Sequence, residues 1–349
     1  MRRAGGLAAA VLALGATLAA AQAAPEPVAV ESRTIEGFRR SDPEQRFFGA
    51  LEWVGGFEIV SRDGRFSALS SLTAIDDGTH FLAVADTGYL FETMVARDAE
   101  GRPIGWTDTR LSRLLDADGE PYRSKSAADA EALDYALAPD GSPEVLVAFE
   151  GDHRIEAMAF SEADMQGLPT ALPIPDAITH LGGNRGLEAI AVAPAGTPLA
   201  GHIVAIGERD RDGDADIPGW ILGVDGGAFR LRRVGNYDVT DAAFLPNGDL
   251  LVLERAFSIT DLLAMRIRLI AAADLMPSRT ADAAVLLEAD LAYEIDNMEG
   301  IASWTRPDGG IAIAVLSDDN ESFLQRTIYL EFRLDPDRLA PHPPPRPQL

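Results

Sequence analysis

LEAIAVAPAGTPLAGHIVAIGERD, residues 187–210, decides the fold. An apolar residue is followed by a carboxylate, Glu188, and a short apolar run; a Pro/Gly turn leads back through HIVAIG to a second carboxylate, Glu208. Apolar runs of this length bounded by turn residues read as paired antiparallel strands. A carboxylate set inside such a run is costly unless something compensates it, so Glu188 and Glu208 need a reason.

The pattern recurs. Segments with the same grammar run from Leu69 to Gly88, Ala130 to Asp152, Thr240 to Ser258 and Met298 to Asn320. Their entry residues are Ser70, Glu131, Glu188, Asp241 and Glu299, spaced 53 to 61 residues apart, and their second strands end at Asp86, Glu150, Glu208, Glu254 and Asp318. Each interval holds four strands, and repetition of a four-stranded unit describes an all-β propeller. Five repeats favour five blades; six stay compatible because outer strands diverge. GALEWVGGFEIVS, residues 49–61, precedes the first repeat, and we expect it to complete the last blade beside RTIYLEFRL, residues 326–334. Ring closure of this kind hides the sheet edges.

The propeller domain is expected over 46–335, with a proline-rich tail over 336–349. Residues 1–23 read as a signal peptide: Arg2 and Arg3, an Ala/Leu-rich run, and the small-x-small site Ala21-Gln22-Ala23. No later segment approaches spanning length, so an exported, periplasmic or secreted monomer is expected.

The chain has no cysteine, which excludes disulfides, thiolate metal sites and cysteine nucleophiles. A net charge of −25 with a single lysine, Lys125, makes nucleic acid and anionic membranes poor partners. A small-molecule ester or another small ligand is the expected partner.

In a propeller blade the first strand begins, and the second ends, at the same face. Glu131, Glu188, Asp241 and Glu299 are therefore expected around the channel mouth, with Asp86, Glu150, Glu208, Glu254 and Asp318 beside them. Crowded like charges repel and raise one another's pKa. Arg154, Arg209 and Arg255 follow the outer acids and are expected to pair with them or hold a substrate's anionic oxygens. A hard cation, Ca²⁺ with roughly six to eight oxygen ligands, suits the inner ring. DRDGDAD, residues 210–216, has alternating acids but lacks the EF-hand spacing. It reads as a loop, with Asp212, Asp214 and Asp216 as secondary ligand candidates. No nucleophile elbow, zincin helix, Walker loop or dinucleotide fingerprint is present. His153, in EGDHR, is the candidate general acid.

SSLTAIDDGTHFLAVADTG, DAEALDYALAPDG, NRGLEAIAVAP, ERAFS and NMEGIASW together resemble the phytase-like family, exported bacterial proteins described as esterase-like members of the phytase family. The resemblance runs from about Phe48 to Leu334. It implies a β-propeller outside the cytoplasm and hydrolysis of phosphate or carboxylic esters. Ser70 departs from the acidic ring, and the scarcity of lysine argues against tight phytate binding. Two functions remain open: a metal-assisted ester hydrolase, or a noncatalytic ligand-binding or scaffold propeller of the cell envelope with a structural cation.

Overall fold

The structure, a computed structural model, describes residues 24–181, 186–210, 215–258, 262–322 and 324–339. Residues 1–23, expected to be a signal peptide, and 340–349, the end of the proline-rich tail, lie outside these residues. Pro336–Arg338 form a 3₁₀ turn, and Leu339 packs on the core.

Five antiparallel sheets form a ring, one for each repeat. From the channel outward, blade 1 holds Leu69–Ala74, His80–Ala85, Tyr89–Arg97 and Pro103–Arg113, with Glu26–Pro27 on its outer edge. Blade 2 holds Ala130–Leu137, Pro143–Phe149, Arg154–Ala159 and Thr170–Ala171. Blade 3 holds Leu187–Val192, Ile203–Gly207, Ile217–Leu222 and Gly227–Leu231, and the short strand Thr280–Ala281 adds to it in parallel. Blade 4 holds Asp238–Phe244, Leu250–Ser258, Leu262–Ile270 and Ala284–Asp290. Blade 5 holds Asn297–Thr305, Ile311–Asp318 and Thr327–Leu334, and the early strands Leu51–Ser61 and Val30–Ile35 complete it. Leu51–Ser61 pairs antiparallel with Thr327–Leu334, joining the two ends of the ring as expected. The five innermost strands touch one another in order, and the fifth returns to the first.

The composition of the second strands follows from this ring. FLAVA, VLVAF, IVAIG, LLVL and IAIAVL are apolar at consecutive positions because both faces of a blade are covered by neighbours. Phe81, Ala83 and Ala85 face blade 5, whereas Leu82 and Val84 of the same strand face blade 2. Five buried clusters result, each between two adjacent blades. The first turn of every blade carries a glycine at positive φ: Gly78, Gly141, Gly196, Gly248 and Gly309. At Gly78 space adds to the requirement, because a Cβ there would lie 2.1 Å from the Trp304 ring of blade 5.

Candidate functional site

Every innermost strand carries a one-residue bulge at its start, where pairing with the second strand shifts register. The bulged residues are Ser70, Glu131, Glu188, Thr240 and Glu299. A bulge leaves one residue unpaired and re-aims its side chain. Glu131, Glu188 and Glu299, from three blades, thereby converge on one mouth. The second strands deliver Asp86, Glu150, Glu208, Arg255 and Asp318 beside them.

Register corrects two sequence expectations. Val239 pairs with Glu254 and Asp241 with Leu253, so blade 4 presents Thr240 and Arg255 where blades 2, 3 and 5 each present two acids and blade 1 presents Ser70 and Asp86. Asp241 lies one residue deeper and is 1% exposed. It accepts hydrogen bonds from Ser71 Oγ at 2.9 Å, Ile301 N at 2.9 Å and Ala242 N at 2.8 Å. Asp241 therefore clasps blades 1, 4 and 5 together. Glu254 is fully buried and ion-paired with Arg266 and Arg268 of the next strand. Its charge is met inside blade 4.

The mouth carboxyls perturb one another. Burial pushes Glu188 well above its ordinary value, and Glu131, Glu208, Glu150 and Glu299 push it further. Glu131 is likewise held well up by burial, then by Asp129, Glu150, Glu299 and Asp86. Burial lifts Glu299 to about 7 against the pull of Arg255, whose guanidinium lies 2.7 Å from Glu299 Oε1. Asp318 is lifted to about 7, again chiefly by burial. Glu150 is raised by burial despite a hydrogen bond from Gly186 N. Glu131, Glu150, Glu188 and Glu299 are half-buried and Asp318 is buried. Among the described residues, no hydrogen bond reaches the carboxylates of Glu131 or Glu188.

One corner of the mouth has the chemistry of a cation site. Asp86, Asp129 and Glu131 each offer an oxygen, all within 4.8 Å of one another. Oxygens around Ca²⁺, at about 2.3–2.6 Å from the ion, lie up to about 5 Å apart. Asp86 Oδ1 is buried without a hydrogen-bond partner, while Oδ2 takes the Lys125 ammonium at 3.0 Å. An all-oxygen set with an orphaned carboxylate atom fits a hard divalent ion. Asp129, absent from the sequence expectations, comes from the turn Lys125–Ala128, which Ser124 caps by accepting from Ala127 N.

The remaining candidates have other partners. His153 sits in a turn with φ 42° and is 9% exposed. Its Nε2 donates to the Leu181 carbonyl at 2.7 Å, and its buried Nδ1 has no partner. His153 thus ties down the approach to blade 3. Arg154 stacks on Phe149, 3.7 Å from the ring centre, and donates to Glu156 and to Ala127 O at 2.6 Å. It anchors the turn that carries Asp129. Arg209 bridges Glu208 at 3.2 Å and Asp238, and only Arg255 contacts an inner-ring carboxylate among the described arginines. In the 210–216 loop, Asp210 pairs with Arg230 and Asp216 accepts from Arg233 N at 3.1 Å. Asp212 and Asp214 lie outside the described residues.

The described mouth is acidic over four blades, with a cationic notch at blade 4. It can hold a cation, exchange protons near neutral pH and grip an anionic oxygen at Arg255.

A family model described as phytase-like, esterase-like activity of phytase, matches residues 64–321. No curated protein matches the sequence. Among solved structures, the chain is similar to an alpha-L-arabinofuranosidase from Podospora anserina in complex with cellotriose, with 12% identity and TM-score 0.49 over 78% of this chain and 93% of that one. It is similar also to the PQQ-bound aldose sugar dehydrogenase from Streptomyces coelicolor, with 14% identity and TM-score 0.40 over 88% and 99%. Extracellular domains 1–2 of Drosophila semaphorin 1b align at 13% identity and TM-score 0.37, over 83% of this chain but about half, 55%, of that one. The assignment of five blades rests on this chain's own sheet order.

Proposed function

The chain belongs to the phytase-like family, and from the geometry of its mouth we propose that it is an exported hydrolase of phosphate or carboxylic esters. The observation that carries this reading is the convergence of Glu131, Glu188 and Glu299 beside Asp86, Asp129 and Arg255. Asp86, Asp129 and Glu131 would hold Ca²⁺. When bound, the ion would polarise an ester oxygen and stabilise developing negative charge.

The chain's own groups do the rest. Arg255 holds an anionic oxygen of the substrate and fixes its orientation. The ionised form of Glu188, made more basic by burial and by the acids around it, accepts a proton from the attacking water as its oxygen bonds to phosphorus or carbonyl carbon. Glu299, at about 7, is partly protonated near neutral pH and gives its proton to the leaving alkoxide as the ester bond breaks. The water proton ends on Glu188 and the alcohol departs neutral. Exchange with solvent restores both carboxyls. Export is supported by the signal-like residues 1–23.

The test uses the chelator-treated full mature chain with 4-nitrophenyl phosphate and 4-nitrophenyl butyrate, with and without Ca²⁺. Turnover of either ester should require Ca²⁺ and fall at least about a hundredfold in Glu188→Gln, the usual scale of general-base loss. Calcium-dependent melting without turnover on either ester would replace this reading with a scaffold propeller that uses the ion structurally.

A further inference from the structure

The channel has a second end, chemically unlike the first. Where the innermost strands finish, on the face opposite the acidic mouth, lies a cavity of about 630 Å³. Pockets for small organic ligands fall in this size range. Leu72, Leu133, Val192, Phe244 and Ile301, one from each blade, supply apolar wall, with alanines between them. Leu137, 64% exposed, stands at the rim.

One charged side chain lines this cavity among the described residues: Asp134. Its Oδ1 accepts from Thr73 Oγ1 of blade 1 at 2.9 Å and from Tyr135 N at 2.8 Å. Its Oδ2 accepts from Val192 N of blade 3 at 2.7 Å. These donors are neutral, and among the described residues no cation pairs with the carboxylate. Burial lifts it to about 6, so at pH 7.5 it is ionised. The result is a carboxylate that neutral donors hydrogen-bond but no described cation neutralises, at the wall of an apolar, drug-sized cavity with a bare leucine at its rim. A carboxylate in apolar surroundings without a cation is unfavourable, and a ligand that brings positive charge together with apolar surface relieves it.

We propose that this end of the channel is a binding site for an apolar organic cation, an amine or ammonium on a hydrocarbon or aromatic body, with Asp134 receiving the charged head. Such a ligand has charge complementarity with Asp134 and shape complementarity with the walls. An anion of the same shape is repelled, and a neutral isostere loses the charged contact. The polar bonds from Ser71 to Asp241 and from Leu133 N to Ser71 cross the channel between the two ends, so this site is separate from the acidic mouth.

The experiment titrates the full mature chain at pH 7.5, in saturating Ca²⁺ to mask the acidic mouth, with 1-naphthylmethylamine, 1-naphthylmethanol and 1-naphthylacetate. Binding is read by calorimetry. The amine should bind at least about tenfold more tightly than the alcohol, the difference expected of a charge-assisted contact, and the acetate should not bind. Leu137→Arg, on an exposed residue, should weaken the amine at least about tenfold, and Asp134→Asn should bring amine and alcohol to equal affinity. Glu188→Gln should change nothing. If Asp134→Asn melts too early to titrate, Leu137→Arg and Ala243→Trp, which fills the cavity, decide the matter. Equal affinity for amine and alcohol, no binding at millimolar amine, or amine binding abolished by Glu188→Gln but not by Leu137→Arg would each overturn the proposal.

Discussion

Raising the pH should destabilise the calcium-free protein, and the size of the effect follows from Glu299 and Asp318. Both sit at about 7 in the fold, against 4.5 and 3.8 in the unfolded chain. A carboxyl raised by folding is protonated in the native state at pH values where the unfolded chain has lost its proton. Folding therefore binds protons, and stability present below the unfolded value is lost as pH rises through about 7. Between pH 5 and pH 8.5 each group should remove about 2.5 kcal/mol, roughly 5 kcal/mol for the two if they act independently. For a domain this large that is a drop in Tm of roughly 10 °C. Asp63, lowered to about 2 by its Arg65 hydrogen bonds, acts in the opposite sense. Its contribution is complete above the ordinary carboxylate range, so it leaves the window flat. The assay is calorimetric melting at a fixed scan rate in chelator, stepped from pH 5 to 8.5, then repeated with Ca²⁺. The ion should restore about half of the loss at pH 8.5 and less at pH 5, where protons compete with it for Glu131. Ligand at a hundredfold excess over its Kd stabilises by about 2.7 kcal/mol. A chelated protein whose Tm stays level or climbs across this range would refute the raised carboxyls and, with them, the electrostatic reading of the mouth.

Asp241→Ala strips the acceptor from Ser71 and Ile301 and should cost about 3 kcal/mol, whereas Thr240→Val, one position away, should cost about 1 kcal/mol. Melting of the two variants checks this, and equal losses would mean that Asp241 is not the clasp. Arg154→Ala should lower Tm by a few degrees and also weaken the calcium response several-fold, because Arg154 holds the turn that presents Asp129. A lowered Tm with an unchanged calcium midpoint would confine Arg154 to packing.

How much of this molecule can be read without coordinates depends on which physical signal carries each feature. Blade number and closure are legible because a blade buries both faces of its second strand, which forces continuous apolar runs, and because each hairpin needs its glycine. The acids at Glu131, Glu188 and Glu299 are legible for the same reason, since each follows an apolar residue at a strand start. Blade 4 breaks the reading. There, TD offers two polar residues in succession, and charge similarity selects Asp241; strand register selects Thr240, because a shift by one residue turns a side chain to the other face. The usable signal is the apolar residue ahead of the bulge, Leu69, Ala130, Leu187, Val239 or Met298, all of them buried. Alignment on these five, rather than on the acids, puts Thr240 and Arg255 at the mouth. The mouth then becomes an asymmetric site in which one blade supplies the cation. Asp129 escapes detection because it precedes the repeated segment, and Asp134 because an acid in mid-strand looks like solvent-facing alternation. In a propeller channel such an acid has another use. Innermost strands leave edge N–H groups unpaired, and the acceptors Ser71, Asp134 and Asp241 satisfy those of Leu133, Val192 and Ile301 across blade boundaries. Carboxylates in this ring therefore divide by register: bulged ones reach the mouth, whereas those farther along the strand close the ring, and of these Asp134 also lines the cavity at the other end.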